Sequence, residues 1–362
     1  MKIGLIGLPL VGKTTFFNLL TKSQAATSSF ANAKIASNIG SAKIPDARVD
    51  FLAKLYKPKK ITFASIDFID VPGLGKASSL GSGLGNQFLE NIRKTDALVH
   101  VIRVFDDPDV AHTEGSIDPL RDIDIINLEL LFADLGVVET RIERIETAKK
   151  LKKDNLEELE ALKKCRAALE QGKLLSQLDL TNEERSFLSS FDFLSEKPLI
   201  LLANISESDL KKGEYTQKEI VMKFAAENNI PLIECCAKTE MELNDLNEDE
   251  KTLFMEEMGI KKSGIDILAS TSYELLELIS FLTTGEDEVR AWTIKKGLEA
   301  KKAAGKIHSD IERGFIRAEV VKSEHLKELG SMAKLKEKGL FRLEGKDYLV
   351  EDGDIISFRF NV

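Results

Sequence analysis

The residues that most limit what this chain can fold into are Gly7-Leu8-Pro9-Leu10-Val11-Gly12-Lys13-Thr14, which match G-x-x-x-x-G-K-[ST]. They stand between an apolar, strand-like Ile3-Gly4-Leu5-Ile6 and a helix-like stretch from Thr15 to Leu20. A strand that runs through such a loop into a helix leaves unpaired backbone N–H groups facing a concavity, and the helix dipole adds to their attraction for an anion. In this pattern Lys13 reaches the β- and γ-phosphates of a nucleotide and the Thr14 hydroxyl is offered to Mg²⁺. Gly7, Pro9, Leu10, Val11, Gly12, Lys13, Thr14 and Thr15 are therefore the expected phosphate-binding residues. Lys13 is expected at the surface, a charge that serves the ligand and not the core.

Further apolar runs at Ile66 to Ile69, Ala97 to Val104, Leu199 to Ala203 and Leu232 to Cys236 alternate with helical or loop segments. Continuous runs of this kind suit strands buried on both faces, hence an α/β fold with a doubly wound, mostly parallel sheet. Ligands of such sheets bind at the carboxyl ends of the strands. Ile66 to Ile69 delivers Asp70 to such an end, followed by Val71-Pro72-Gly73, a D-x-x-G pattern. Asp70 is expected to act on Mg²⁺, mostly through water, and Gly73 to sense the γ-phosphate.

The run Leu199 to Ala203 ends in Asn204-Ile205-Ser206-Glu207, where GTPases place N-K-x-D. An Asp there accepts from two donors of guanine, whereas adenine presents an acceptor. Ile205 stands at the Lys position and Glu207 at the Asp position, so strict guanine reading is not expected. Cys236-Ala237-Lys238 ends the next strand and resembles the S-A-K element on the other side of the base.

Between Leu131 and Leu175 the pattern changes. Leu131, Leu135, Val138, Ile142 and Ile145 step by four and three among dense charges, a coiled-coil seam, and Leu156, Leu159, Leu162 and Leu169 resume the stripe after Lys152-Lys153-Asp154-Asn155. An antiparallel helical insertion over residues 131–195 is expected within a nucleotide-binding domain of residues 1–277. From Leu278 to Val362, strand-like Val289 to Ile294, Phe315 to Val321 and Ile355 to Phe360 surround a helical Leu298 to Ile311, with a turn at Asp352-Gly353-Asp354. This reads as a small α+β domain.

A net charge of −9 excludes a protein that coats nucleic acid non-specifically. Nothing points to sequence-specific DNA binding. Lys295, Lys296, Lys301, Lys302, Lys306, Arg313 and Arg317 nevertheless cluster in the last domain and could face RNA phosphates, although Glu299, Asp310 and Glu312 intersperse them. The three cysteines suit neither a disulfide framework nor a zinc site. No apolar stretch approaches the ~18 residues of a membrane span, and Met1-Lys2 runs straight into the first strand, so a cytoplasmic protein without a membrane partner is expected.

Taken together, these residues resemble the YchF or Obg-like ATPase family of translation-factor-related P-loop proteins. The resemblance covers nearly the whole chain. It is carried by Gly83-Leu84-Gly85-Asn86 with Phe88-Leu89-Glu90-Asn91-Ile92-Arg93, by the N-x-x-E from Asn204 to Glu207, and by the run from Gly285-Glu286-Asp287-Glu288-Val289-Arg290-Ala291-Trp292 through Gly345-Lys346-Asp347-Tyr348. It implies a coiled-coil insertion, a carboxyl-terminal TGS domain of β-grasp shape, ATP preferred over GTP, slow hydrolysis and association with ribosomes. A GTPase of the same fold, or a nucleotide-gated binding module with negligible turnover, are the alternatives.

Leu74 follows the D-x-x-G, where Ras-like enzymes keep a water-orienting Gln, and a hydrophobic residue there is similar to the family. The resemblance makes His112 the candidate for organising the attacking water, although a lone loop histidine is otherwise solvated. Two positions depart from the family: Leu10 replaces the usual Asn, and Lys34 aligns with the switch-loop Thr that ligates Mg²⁺. A protonated Lys34 cannot ligate a cation. Thr27 or Ser29 substitutes, or the switch closes differently, or hydrolysis is poor. His100, in mid-strand, is expected to be a satisfied core residue.

Overall fold

The computed structural model describes residues 1–22, 38–71, 84–148 and 153–361. Its strands are β1 (Lys2–Ile6), β2 (Asn38–Lys43), β3 (Lys60–Thr62), β4 (Ser65–Asp70), β5 (Ala97–Arg103), β6 (Leu199–Asn204), β7 (Leu232–Cys235), β8 (Leu278–Thr283), β9 (Glu288–Lys295), β10 (Phe315–Lys322), β11 (Arg342–Glu344) and β12 (Asp354–Phe360). The five apolar runs of the first part are β1, β4, β5, β6 and β7. Each pairs in parallel with its neighbour in the order β4-β1-β5-β6-β7, with β2 beyond β4. Every residue of β5 is buried, as a strand covered on both faces requires.

The chain forms two compact units, Met1–Gly40 with Asp67–Leu268, and Ser41–Ile66 with Ala269–Val362. Residues 41–66, expected in the nucleotide domain, thus belong to the carboxyl-terminal unit. There β3 adds to β9 in parallel, Lys60 pairs with Glu288 at 3.2 Å, and Arg48 donates to Asp352 at 2.7 Å.

The helical insertion of the first unit begins earlier than expected, with helix Pro119–Glu146. Asp118 caps it by accepting from the Arg121 N–H, and Pro119 opens it. Two cores divide this helix. Ile123 packs with Ile102, Leu201 and Ala203 of the sheet, whereas Leu131, Val138, Ile142 and Ile145 pack with Leu159, Leu162 and Leu169 of helix Lys153–Glu170 and with Leu188 and Phe193. The apolar stripe starting at Leu131 therefore marks a change of core and not the start of a helix. Asp134, fully buried, accepts from the N–H groups of Leu194 and Ser195 and from the Ser195 hydroxyl, tying the insertion to the segment that returns to β6.

In the second unit the sheet order is β11-β10-β12-β8-β9-β3. Helix Ala300–Ile307 lays Ala300 and Ala303 against Ile279, Phe281, Ile294, Ala318, Val320 and Ile356. Small residues on the helix allow that close approach. The single helix expected over 298–311 breaks at His308, whose extended backbone and ring Nδ1, accepting from the Asp310 N–H at 3.1 Å, start a second short helix, Ser309–Arg313.

His100 differs from its expectation. It is 1% exposed on β5, yet its Nδ1 has no hydrogen-bond partner among the described residues. Burial, with the nearby Lys13 charge, pushes its pKa from 6.5 down to about 3. The unfolded chain therefore binds a proton that the folded chain refuses as pH falls below 6.5. Stability should drop by ~1.4 kcal/mol per pH unit between 6.5 and about 3, or roughly 2 kcal/mol by pH 5. His100→Leu removes the titration, so the difference between variant and wild type in denaturant unfolding should grow by that amount from pH 7 to pH 5. A pH-independent difference would rule out His100 as the cause.

Candidate nucleotide site

The loop from Gly7 to Gly12 links β1 to helix Lys13–Thr21. Gly7 and Gly12 adopt φ of 143° and 103°, conformations that exclude ordinary side chains, and Leu10 at φ 64° is held in a region costing ~1–2 kcal/mol for an L residue. No side chain caps the helix. Its first N–H groups are left for a ligand, which is what an anion site needs.

Lys13 is buried, with 7% of its surface exposed. Its Nζ donates to the carbonyls of Gly7 at 3.0 Å and Leu8 at 2.6 Å, so the ammonium is folded onto its own loop. Burial lowers its pKa to about 8, opposed by the charge of Asp70. The surface position expected from sequence is thus corrected: the candidate phosphate-binding cation is buried against its own loop. Asp70, at the end of β4, accepts from the Thr14 hydroxyl at 2.8 Å. Burial pushes the Asp70 carboxyl up, against hydrogen bonds from Thr14 and Asn38 and the charge of Lys13. Thr14 and Asp70, fifty-six residues apart in sequence, present adjacent hard oxygen ligands, the donor chemistry that Mg²⁺ takes. Gly73, Leu74, Lys34, Thr27 and Ser29 lie outside the described residues. Thr15 sits in the first turn of the helix.

Asn204, 4% exposed, uses both ends of its amide. Its Nδ2 donates to the Val11 carbonyl at 3.0 Å, and its Oδ1 accepts from the Ala237 N–H at 3.2 Å. It therefore joins the phosphate loop to the segment Cys236-Ala237-Lys238. Ile205 and Cys236 are core residues packed with Ile102, Leu201 and Val221, and Ala237 is buried beside them, whereas Glu207 is half-buried and Lys238 exposed. Glu207 pairs with Lys211 at 3.2 Å on the first turn of helix Glu207–Lys212.

His112 lies in the loop after β5. The hydroxyl of its neighbour Thr113 donates to the Pro9 carbonyl at 3.2 Å, bringing this loop onto the phosphate loop. The His112 side chain is 7% exposed and both ring nitrogens are engaged, Nε2 with Asp122 at 3.0 Å and Nδ1 with the Glu114 N–H at 3.1 Å. The solvated ring expected of a lone loop histidine is replaced by a buried, oriented one. Sequence reasoning missed Asn38, Arg103 and Asp122. Each is set by a partner the fold supplies, and the one readable hint is a charged residue, Arg103, closing a strand that is apolar apart from His100.

A family model described as a 50S ribosome-binding GTPase matches residues 2–204, and the model for the carboxyl-terminal domain of YchF GTPases, described as a protein of unknown function, matches residues 278–361. The chain is 44% identical to the ribosome-binding ATPase YchF of Bacillus subtilis over 99% of both chains. This chain belongs to the YchF family. It is also 41% identical to the ribosome-binding ATPase YchF of Escherichia coli O157:H7, over 100% of this chain and 99% of that one. The solved structure of the Schizosaccharomyces pombe YchF GTPase superimposes with a TM-score of 0.88 at 34% identity, covering 99% of this chain and 97% of that one. That likeness extends over both units and fixes the fold as a P-loop GTPase-type α/β domain followed by a YchF carboxyl-terminal domain. Among the described residues no helix is long and apolar enough to cross a membrane.

Proposed function

We propose that this YchF-family chain is a cytoplasmic ATPase that binds ATP with Mg²⁺, cleaves the β–γ bond slowly, and uses its nucleotide state to alter contact with ribosomes. The observation that carries the reading is the strand–loop–helix cradle, in which Lys13 and an uncapped helix terminus converge with the Thr14–Asp70 pair. Thr14 and Asp70 would hold Mg²⁺, which when bound neutralises charge on the phosphates. Lys13 leaves its loop carbonyls for phosphate oxygens. His112 orients the attacking water, and Leu74 leaves that task to it. The relatives' names, ribosome-binding ATPases, support both the reaction and the partner.

ATP over GTP rests on Glu207. Its carboxylate is tethered to Lys211 and stands one carbon farther from the backbone than the Asp of a guanine site. Because Ile205 is in the core, Glu207→Asp alone is the informative change. It should bring a carboxylate to the guanine donors and an unpaired charge to adenine, shifting preference toward GTP by on the order of 1 to 3 kcal/mol, roughly 5- to 150-fold. Titration of labelled ATP and GTP against wild type and variant reads this directly, and wild-type preference for GTP would overturn the base assignment. Phosphate release over hours, with and without ribosomes, tests turnover; none under either condition leaves a nucleotide-gated binding module.

RNA phosphates are the proposed contact of the second unit. Lys302 is paired with Glu312 and Arg313 with Asp310, but Lys295, Lys296, Lys301, Lys306 and Arg317 form no ion pair among the described residues. These five charges remain for a polyanion.

A further inference from the structure

Two buried charges, Arg103 at the end of β5 and Asp122 in helix Pro119–Glu146, flank the loop that carries His112. Arg103, 2% exposed, donates to three carbonyls of that one loop, Phe105 at 3.1 Å and Asp107 and Ala111 at 3.4 Å, and lies over the Phe105 ring at 4.5 Å. It fixes the path of the chain up to the residue before His112. Asp122, 1% exposed in the first turn of the helix, divides its two oxygens: Oδ1 accepts from Arg121 Nε at 3.1 Å and Nη2 at 2.8 Å, while Oδ2 faces His112 Nε2 at 3.0 Å. On the other side of the ring the Glu114 N–H donates to Nδ1. A nitrogen that accepts from a backbone N–H carries no proton, so the neutral ring carries its proton on Nε2 and donates it to Asp122.

We infer that Asp122 is a positioning residue for hydrolysis, holding His112 as the Nε2–H tautomer so that the Nδ1 lone pair is reserved for the attacking water. The inference rests on the assignment of His112 in the proposed function. Water is a donor, as the Glu114 N–H is, so one can replace the other at Nδ1 without a change of tautomer. What must yield is the turn from His112 to Gly115, closed by the Gly115 N–H on the His112 carbonyl at 3.0 Å. As the water oxygen bonds to the γ-phosphorus, the β–γ bridging oxygen departs with ADP. The water proton passes to Nδ1, and the imidazolium so formed is paired with the Asp122 carboxylate.

Arg121 makes the role testable. In Asp122→Asn the guanidinium, a donor only, keeps the amide oxygen and turns the amide NH₂ toward His112. Nε2 then becomes the acceptor and the ring proton moves to Nδ1, where it opposes the Glu114 N–H and cannot accept from water.

The test uses the full chain with ¹⁵N-labelled histidine. Wild-type His112 should show the Nε2–H signature, and Asp122→Asn the Nδ1–H signature. Single-turnover ATP hydrolysis by Asp122→Asn should fall about 10- to 100-fold, the scale of one misplaced acid–base group, with ATP affinity changed less than about threefold. In a His112→Ala background the same change should cost nothing further. Wild-type His112 in the Nδ1–H form overturns the inference without any variant. So does an equal loss of rate in the His112→Ala background, which marks Asp122 as structural, or an unchanged rate in Asp122→Asn beside a slow His112→Ala. Wild-type rates in His112→Ala itself would instead remove the underlying role of His112.

Discussion

Lys13→Ala is expected to weaken ATP binding by about a hundred- to ten-thousand-fold while leaving the protein folded. The ammonium that now donates to the Gly7 and Leu8 carbonyls would make two charge-assisted bonds to phosphate oxygens, each worth ~1.5–3 kcal/mol. In the ligand-free fold its two hydrogen bonds are offset by the cost of burying a charge, so the unfolding free energy should change by less than about 1 kcal/mol. Protonation gives a second reading. The free Lys13 titrates near 8, and a bound triphosphate raises that value. ATP binding at pH 8 to 9 should therefore take up a proton, and affinity should decline as pH rises through 8. Calorimetry in two buffers of different ionisation enthalpy measures the uptake. Unchanged affinity in Lys13→Ala would remove the phosphate loop from the binding site.

How much of this was legible in sequence depends on how local each signal is. The phosphate loop is contiguous, and its strand and helix are fixed by the residues on either side, so its place in the fold followed from eight residues. The parallel strands β1, β4, β5, β6 and β7 were legible because strands covered on both faces leave short, mostly apolar runs, interrupted here only at single positions such as Asp67, His100 and Glu234. β3 left none: Lys60-Ile61-Thr62 is mostly exposed, and what attaches it to the sheet is its pairing with Glu288, Val289 and Arg290 of β9, more than two hundred residues away. The site shows the same contrast. Lys13 and Thr14 announce themselves, but the burial of Lys13, the His100 Nδ1 left without a partner among the described residues and the Asp122 partner of His112 are products of tertiary packing. A residue's type specifies what it can bond, not whether water will reach it.

Gly12→Ala is expected to do more damage than any single loss of a ligand-binding group, because it strikes the loop and the base side together. At φ 103° any Cβ is strained, and one built at Gly12 would stand 2.5 Å from Nδ2 of Asn204. Asn204 cannot retreat without abandoning the Val11 carbonyl and the Ala237 N–H, two buried groups for which it is the hydrogen-bond partner among the described residues. Backbone strain of ~1–2 kcal/mol plus ~1–3 kcal/mol for each stranded group gives a destabilisation of roughly 3 to 8 kcal/mol, with ATP affinity lowered more than about a hundredfold as the phosphate loop shifts. The two contributions separate in a double-mutant cycle read by denaturant unfolding. Asn204→Ala alone strands the same two groups, so adding Gly12→Ala to it should cost only the strain, about 1 to 2 kcal/mol. If Gly12→Ala costs as much in the Asn204→Ala background as in wild type, Asn204 is not what Gly12 makes room for. The bridge between phosphate loop and base segment would then have to be assigned to the backbone alone.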